Sequence, residues 1–230
     1  MSNPYNTDLD RNSANYQPLT PLTFLERAAS VFPKHTAIIH GSIKRNYDEF
    51  YRRSRQLASA LSNNGITRGD TVSVMLANTP AMLESHYGVP MCGAVLHSLN
   101  TRLDPAVISY QLDHADSKVL IFDREYIDVI KSALKLSKVS PILIDYNDSE
   151  FLISQEFPNA TEYESFLSSG SDQFEWLMPE DEWDAISLNY TSGTTGNPKG
   201  VVSHHRGAYL LAQGNAMIAS INKHSVYLWT

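Results

Sequence analysis

Residues 190–200 read Tyr190-Thr191-Ser192-Gly193-Thr194-Thr195-Gly196-Asn197-Pro198-Lys199-Gly200, between the apolar stretch Ala185-Ile186-Ser187-Leu188 and Val201-Val202. The pattern predicts a strand, a loop built to hold polyphosphate, and a return strand. Hydroxyls at Thr191, Ser192, Thr194 and Thr195 and glycines at 193, 196 and 200 crowd a short segment. Glycine lets backbone N–H groups converge on an anion with no Cβ in the way, and Lys199 adds a mobile positive charge at the rim. An ordinary polar turn draws on Gly, Asn and Asp and does not need so many hydroxyls. The Walker loop does not fit either, because Pro198 stands where its second glycine belongs and Gly200 follows Lys199.

Working outward from the loop, a short strand is predicted at Val201–Ser203 and a helix from near His205 through Tyr209, Leu210 and Met217. Another strand is expected to begin at Val226-Tyr227-Leu228-Trp229-Thr230. On the N-terminal side the chain alternates. A first helix is expected from Thr20 or Thr23, with Thr23 and Glu26 as a capping box, ending before Pro33. Strands at Thr36–His40 and Ile43–Tyr47 turn at His40-Gly41. A helix over Asp48–Asn63 places Phe50, Ser54, Leu57, Ala58 and Leu61 on one face, with Gly65 as its stop and Arg52, Arg53 and Arg55 on a solvated side. Then follow strand Thr71–Leu76, a helix capped by Thr79-Pro80 and ended or kinked near Pro90, strand Ala94–Ser98, helix Asp104–His114, strand Lys118–Phe122, helix Glu125–Leu136 and strand Pro141–Tyr146. Strands alternating with helices at this spacing imply an α/β fold with a largely parallel sheet.

The rhythm breaks over 147–184, which holds a short helix near Thr161–Leu167 and the acidic residues Glu175, Glu180, Asp181, Glu182 and Asp184. These carboxylates lack the alternation and glycine of a calcium loop, so they read as solvation. The expected organisation is an N-terminal extension over 1–21, a first α/β subdomain over 22–146, an acidic crossing loop over 147–184, and the start of a second α/β subdomain over 185–230.

Composition narrows the function classes. The 230 residues carry 18 Lys and Arg against 25 Asp and Glu, a formal net charge of -7. That balance and the lack of a basic stripe argue against nucleic-acid binding. The single cysteine, Cys92, lies in an apolar stretch and reads as a small core residue. One thiol cannot form an intramolecular disulfide, which fits a reducing compartment, and a cytoplasmic location is expected. Met1–Pro21 is polar and reads as neither secretory signal nor membrane anchor, and no stretch has the apolar length of a membrane span.

The 190–200 stretch resembles the signature loop of the adenylate-forming superfamily, which includes acyl-CoA synthetases, adenylation domains of peptide synthetases and luciferases. Every fixed position of that pattern is met. Asn46-Tyr47-Asp48-Glu49-Phe50, Gly69-Asp70-Thr71-Val72 through Asn78, and Gly93-Ala94-Val95-Leu96-His97-Ser98-Leu99-Asn100-Thr101-Arg102-Leu103 are similar to further motifs of the family. The last is in the form found in short- and medium-chain acyl-CoA synthetases, plant-type acyl-activating enzymes and methylmercaptopropionate–CoA ligases.

The resemblance implies layered αβαβα architecture with mostly parallel sheets, of which this chain is an incomplete N-terminal part. It also implies a reaction: a carboxylate attacks the α-phosphate of ATP, pyrophosphate leaves, and the thiol of coenzyme A displaces AMP to give a thioester. By that resemblance Thr191, Ser192, Gly193, Thr194, Thr195, Gly196 and Lys199 hold the polyphosphate, and Thr191 meets Mg2+. No catalytic residue is assigned within the chain. His204, His205 and His97 are expected to be structural rather than acid–base groups. The partners implied are a small carboxylate, ATP and coenzyme A, with a homo-oligomer of the full-length protein compatible. The adenine, ribose and C-terminal lysine motifs of the family are absent, so the chain by itself is expected to be inactive. Two other readings stay open: an adenylation domain loading a carrier protein, and a non-catalytic nucleotide-binding or interaction module.

Overall fold

In the fully buried run Val119-Leu120-Ile121-Phe122, Val119 and Ile121 join one apolar cluster while Leu120 and Phe122 join another. Successive strand side chains leave opposite faces, so this alternation means a sheet covered on both sides. The computed structural model describes residues 3, 5, 7–191 and 197–229. Among them the strands are β1 (Thr36–His40), β2 (Ile43–Asn46), β3 (Thr71–Met75), β4 (Val95–Ser98), β5 (Ser117–Asp123), β6 (Ile142–Tyr146), β7 (Thr161–Glu162), β8 (Ala185–Thr191) and β9 (Lys199–His204). The helices are α1 (Leu22–Val31), α2 (Tyr47–Asn63), α3 (Pro80–Met91), α4 (Pro105–His114), α5 (Ile127–Leu136), α6 (Tyr163–Ser168) and α7 (His205–Ile218).

β1 and β2 form an antiparallel hairpin whose turn uses Gly41 at φ +54. The other seven strands make one sheet in the order β7-β6-β5-β3-β4-β8-β9, parallel throughout except for the β8–β9 pair. Leu22 and Leu25 of α1, Phe50, Leu57 and Leu61 of α2, Val89 of α3 and Tyr163 and Phe166 of α6 pack one face. Ile108 and Leu112 of α4 with Ile127 and Ile130 of α5 pack the other. The described residues thus build one α/β/α set of layers of a mixed α/β fold with a mainly parallel sheet.

Several expectations hold at the level of individual residues. Phe50, Ser54, Leu57, Ala58 and Leu61 are all buried on α2. Asn46 and Glu49 form a reciprocal capping box at its start. Asp104 caps α4 by accepting from the N–H groups of Ala106 and Val107. Cys92 is buried, and burial pushes its thiol up to about 11, far from a nucleophile's range.

Others are corrected. The capping box expected at Thr23 and Glu26 does not form, because Thr23 Oγ1 donates to Thr20 O and α1 begins at Leu22 behind Pro21. Thr79 sits at the start of α3 without making a side-chain cap, and α3 runs through Pro90 to Met91. The chain leaves β5 through a 3-10 turn, Arg124–Tyr126, so α5 starts two residues later than expected. The strand after the acidic loop, β8, pairs with β4 and continues the seven-stranded sheet. No strand forms over 226–229; Trp229 packs against His86 and the main apolar cluster instead. The acidic loop does more than solvate, since Asp184 accepts from the N–H groups of Glu180 and Asp181, and Glu182 accepts from Leu19 N and Arg206 Nη1.

Arg53 departs most from its expected solvated setting. Glu84 on α3 is fully buried, and it accepts from Arg45, from Arg53 Nε at 2.7 Å and from Tyr163 Oη at 2.8 Å. Arg53 also grips Glu164 at 2.6 Å. One buried carboxylate therefore ties β2, α2, α3 and α6 together. Removing it leaves Arg45 and Arg53 with only the half-exposed Glu164 and strands the Tyr163 hydroxyl, and breaking a buried pair from one side costs about 3–5 kcal/mol. Glu84→Ala should lower the unfolding free energy by about that much in denaturant titration; a loss under about 1 kcal/mol would show that solvent or another group compensates the arginines.

Candidate functional site

The hydroxyl- and glycine-rich loop joins β8 to β9 at the carboxyl end of β8. Backbone pairing brings its two ends together: Asn189 faces Val201, Tyr190 faces Gly200, and Thr191 faces Lys199 in the last rung. Thr191 and Lys199 are both exposed, one at each side of the loop's mouth. Ser192, Gly193, Thr194, Thr195 and Gly196 lie outside the described residues. Open sheets of this kind collect ligands beyond the carboxyl ends of their parallel strands. The described ends of the hairpin, Thr191 and Lys199, lie at that edge.

The hairpin rests on an aromatic support. Tyr190 lies 5.1 Å from the His97 ring and 5.7 Å from the His114 ring, and its hydroxyl meets His114 Nδ1 at 2.7 Å. Tyr110 stacks on His114 and donates from its hydroxyl to Pro198 O at 3.4 Å. One end of the phosphate-type loop is thus braced against α4. At Gly200 an added Cβ would come within 3.0 Å of Leu188 Cδ1. A Cβ there would require the end of the Leu188 side chain to move by a few tenths of an ångström.

Beneath the hairpin, His97 is fully buried. Its Nδ1 is 2.7 Å from Ser73 Oγ and its Nε2 3.4 Å from Gln111 Oε1, while Ser73 Oγ meets Ser117 Oγ at 2.5 Å. Gln111 Oε1 can only accept, so the ring donates through Nε2 and accepts through Nδ1. Burial pulls His97 down to about 4, against a smaller upward effect of Gln111. It is a neutral core histidine bridging β3, β4 and α4, as expected.

The two histidines after the loop also serve packing. His204 caps α7, its Nδ1 accepting from Gly207 N at 2.9 Å, and its ring lies 4.4 Å from Trp183. His205 is buried against Thr20, with Nδ1 2.8 Å from Thr20 Oγ1. Burial pulls it down to about 4. Together with Glu182, which binds Leu19 N and Arg206, this contact fastens the approach to α1 onto the start of α7.

Of the residues predicted for the site, the structure brings Thr191 and Lys199 together. Sequence reasoning did not identify Tyr110 and His114 as the loop's support. The signal for them was their spacing of four on a helix already placed by Asp104-Pro105, which puts both rings on one face. Among the described residues no helix is long and apolar enough to cross a membrane.

Comparison with known proteins agrees with the fold. The AMP-binding enzyme family matches residues 25–230. An acetate–CoA ligase from Humulus lupulus is 44% identical over 237 residues, spanning 97% of this chain and 41% of the relative. A peroxisomal acetate/butyrate–CoA ligase from Arabidopsis thaliana is 44% identical over 234 residues, with 97% of this chain and 41% of the relative covered. A solved anthranilate CoA ligase in complex with anthranoyl-AMP superposes with a TM-score of 0.79 at 22% identity, over 88% of this chain and 38% of that one, which speaks for the fold. The chain therefore spans about two fifths of the length of the curated relatives it matches.

The neutral histidines give a pH signature. His97 and His205, each held near 4 when folded, bind a proton on unfolding below about pH 6.5, so each adds stability at neutral pH that is lost as pH falls toward 4. His86, lowered by burial, acts in the same sense. Asp123, pushed up to about 6 by burial, acts in the opposite sense between about 4 and 6. The net is at least one proton taken up on unfolding, or about 1.4 kcal/mol of stability lost per pH unit on acidification through this window. Denaturant titrations between pH 6.5 and 4.5 should show that slope, and His205→Gln should flatten it by about one proton; an unchanged slope in the variant would mean that His205 is charged in the fold.

Proposed function

The chain belongs to the AMP-binding enzyme family, and from that premise we propose that the protein is an ATP-dependent carboxylate–CoA ligase that works through an acyl-adenylate. The proposal concerns the whole protein, of whose relatives this chain spans 41%. The observation that carries it is the last rung of the β8–β9 hairpin, where Thr191 and Lys199 face each other across a loop of hydroxyls and glycines. Such a mouth suits the β- and γ-phosphates of ATP. Relatives named as ligases of acetate, butyrate and trans-cinnamate support a small carboxylate as the acyl substrate.

In this reading Thr191, Ser192, Gly193, Thr194, Thr195, Gly196 and Lys199 bind the polyphosphate. The loop N–H groups and hydroxyls orient the nucleotide so that the carboxylate attacks the α-phosphate in line with the departing pyrophosphate. Lys199 stabilises the negative charge that grows on that leaving group, an interaction stronger in the transition state than before it. Coenzyme A then accepts the acyl group on its thiol, displacing AMP. The donor chemistry at the mouth fits a metal carried by the nucleotide: Thr191 offers a neutral oxygen, and among the described residues no group of three or more His, Cys, Asp or Glu side chains is arranged around one point. Bound magnesium would supply charge neutralisation on the phosphate oxygens, with Thr191 as its protein contact. The single buried thiol supports a reducing compartment, for which we propose the cytoplasm.

Incubated with ATP, coenzyme A and a short carboxylate, the whole protein should release AMP and pyrophosphate in a carboxylate-dependent way. Release of ADP and phosphate instead would overturn the reading. Lys199→Ala should lower kcat about 100-fold with little change in thermal stability, as befits loss of one charge-stabilising donor on an exposed side chain. Gly196→Val should be more damaging, since it puts a branched Cβ where backbone must approach phosphate. Wild-type kcat and ATP KM in Lys199→Ala would remove Lys199 from the mechanism.

A further inference from the structure

A second cleft, of about 730 Å3, opens between α1, α2 and the first turns of α7. It lies away from the phosphate-type loop. β9 leads from Lys199 at the loop's mouth to His204 at its other end, and five steps of about 3.4 Å put these roughly 17 Å apart. The cleft's aromatic contributor from α7, Tyr209, lies further on still.

Its walls combine planar apolar surface with unused positive charge. Phe24 of α1 stacks on Tyr209 of α7, ring centroids 4.6 Å apart and planes at 23°. Tyr51 of α2 contributes a third ring, fixed by the Trp176 indole N–H, which donates to its hydroxyl at 3.0 Å. The guanidinium of Arg55 lies 4.5 Å above the Tyr51 ring. Arg55 makes no ion pair among the described residues, and its Nε is buried with no acceptor. A buried donor without a partner is rare in a folded protein. Arg27 also lines the cleft with no ion pair among the described residues; of the lining carboxylates Asp48 is paired with Arg52, while Glu26 accepts only from the neutral Tyr51 hydroxyl at 3.4 Å and keeps its charge. Two guanidinium groups, Arg27 and Arg55, thus stand against one carboxylate, Glu26, outside any ion pair among the described residues, and the balance at the cleft is positive.

We propose that this cleft is a binding site for a planar aromatic carboxylate, its ring lying against Phe24, Tyr51 and Tyr209 and its carboxylate accepting from Arg55. A guanidinium edge matches the two oxygens of a carboxylate, and its stacking on Tyr51 holds that edge in place. The volume falls in the range of small-molecule sites and exceeds what a two-carbon acid would fill. The site neither uses the phosphate-type loop nor depends on the ligase reading.

The test uses 2-naphthoate as probe, without ATP, and follows the Trp176 indole N–H resonance, assigned with Trp176→Phe. This indole bonds to a residue of the cleft wall and so reports on it. Naphthoate should shift the resonance saturably. The uncharged 2-naphthamide should bind at least tenfold more weakly to the same unaltered protein. Arg55→Ala should weaken naphthoate at least tenfold and Arg55→Lys less, while Lys199→Ala should leave the titration unchanged. No response to naphthoate, equal affinity for the amide, or an Arg55→Ala affinity like wild type would overturn the proposal. Loss of the response in Lys199→Ala would also overturn it, by moving the binding to the loop. The comparison of acid with amide needs no variant and decides the matter even where Arg55→Ala fails to fold.

Discussion

The parallel contact between β4 and β8 is short, with Leu96 opposite Ser187 and His97 opposite Leu188, yet among the described residues the hairpin has no other neighbour in the sheet. Among the described residues β9 pairs with β8 alone, so the placement of Thr191 and Lys199 follows from that one ladder. The buried group at the ladder's centre is His97, whose hydrogen bonds reach β3 on one side and α4 on the other. A charged imidazole there would bring an ion into a dry interior, and its neutrality is what permits the ladder to close. Tyr190 then sits on the His97 ring, so the same residue that joins the strands also supports the loop.

Legibility from sequence tracks how local the cause is. Helix α2 could be read because its apolar face, Phe50, Ser54, Leu57, Ala58 and Leu61, acts within one element, whereas the Asn46–Glu49 capping box that starts it emerged only from the structure. The hairpin around the loop could be read because apolar runs at 185–188 and 201–202 flank a glycine-rich connection. The loop's two ends, Thr191 and Lys199, meet because antiparallel pairing is the nearest solution for strands joined by so short a connection. What could not be read was set by distant partners. The apolar character of β8 says that it is buried, not that β4 is what it pairs with. The same applies to 226–229, whose apolar residues suggest a strand by composition, whereas Trp229 finds its place on His86. Arg53 looked like a solvated helix residue because its acidic partners, Glu84 and Glu164, lie 31 and 111 positions away.

Polar groups in the interior fall into two kinds. Around His97 they are neutral and pass hydrogen bonds in a chain, through Ser73 and Ser117 on one side and Gln111 on the other. Beside α3 they are ionic and converge on a single carboxylate. The first kind tolerates exchange of one hydroxyl for another small group, since each loss is one neutral bond. The second kind does not, because every member is balanced against the others.

That balance constrains how the sequence could drift. Replacing Arg45 or Arg53 alone leaves Glu84 under-compensated, and replacing Glu84 alone leaves both cations to share the half-exposed Glu164. Each route to an apolar cluster passes through an intermediate worse than either end. The trio can therefore change only as a unit, so that among descendants of this chain the identity at position 84 would foretell those at 45 and 53, although the three sit on a strand and two different helices.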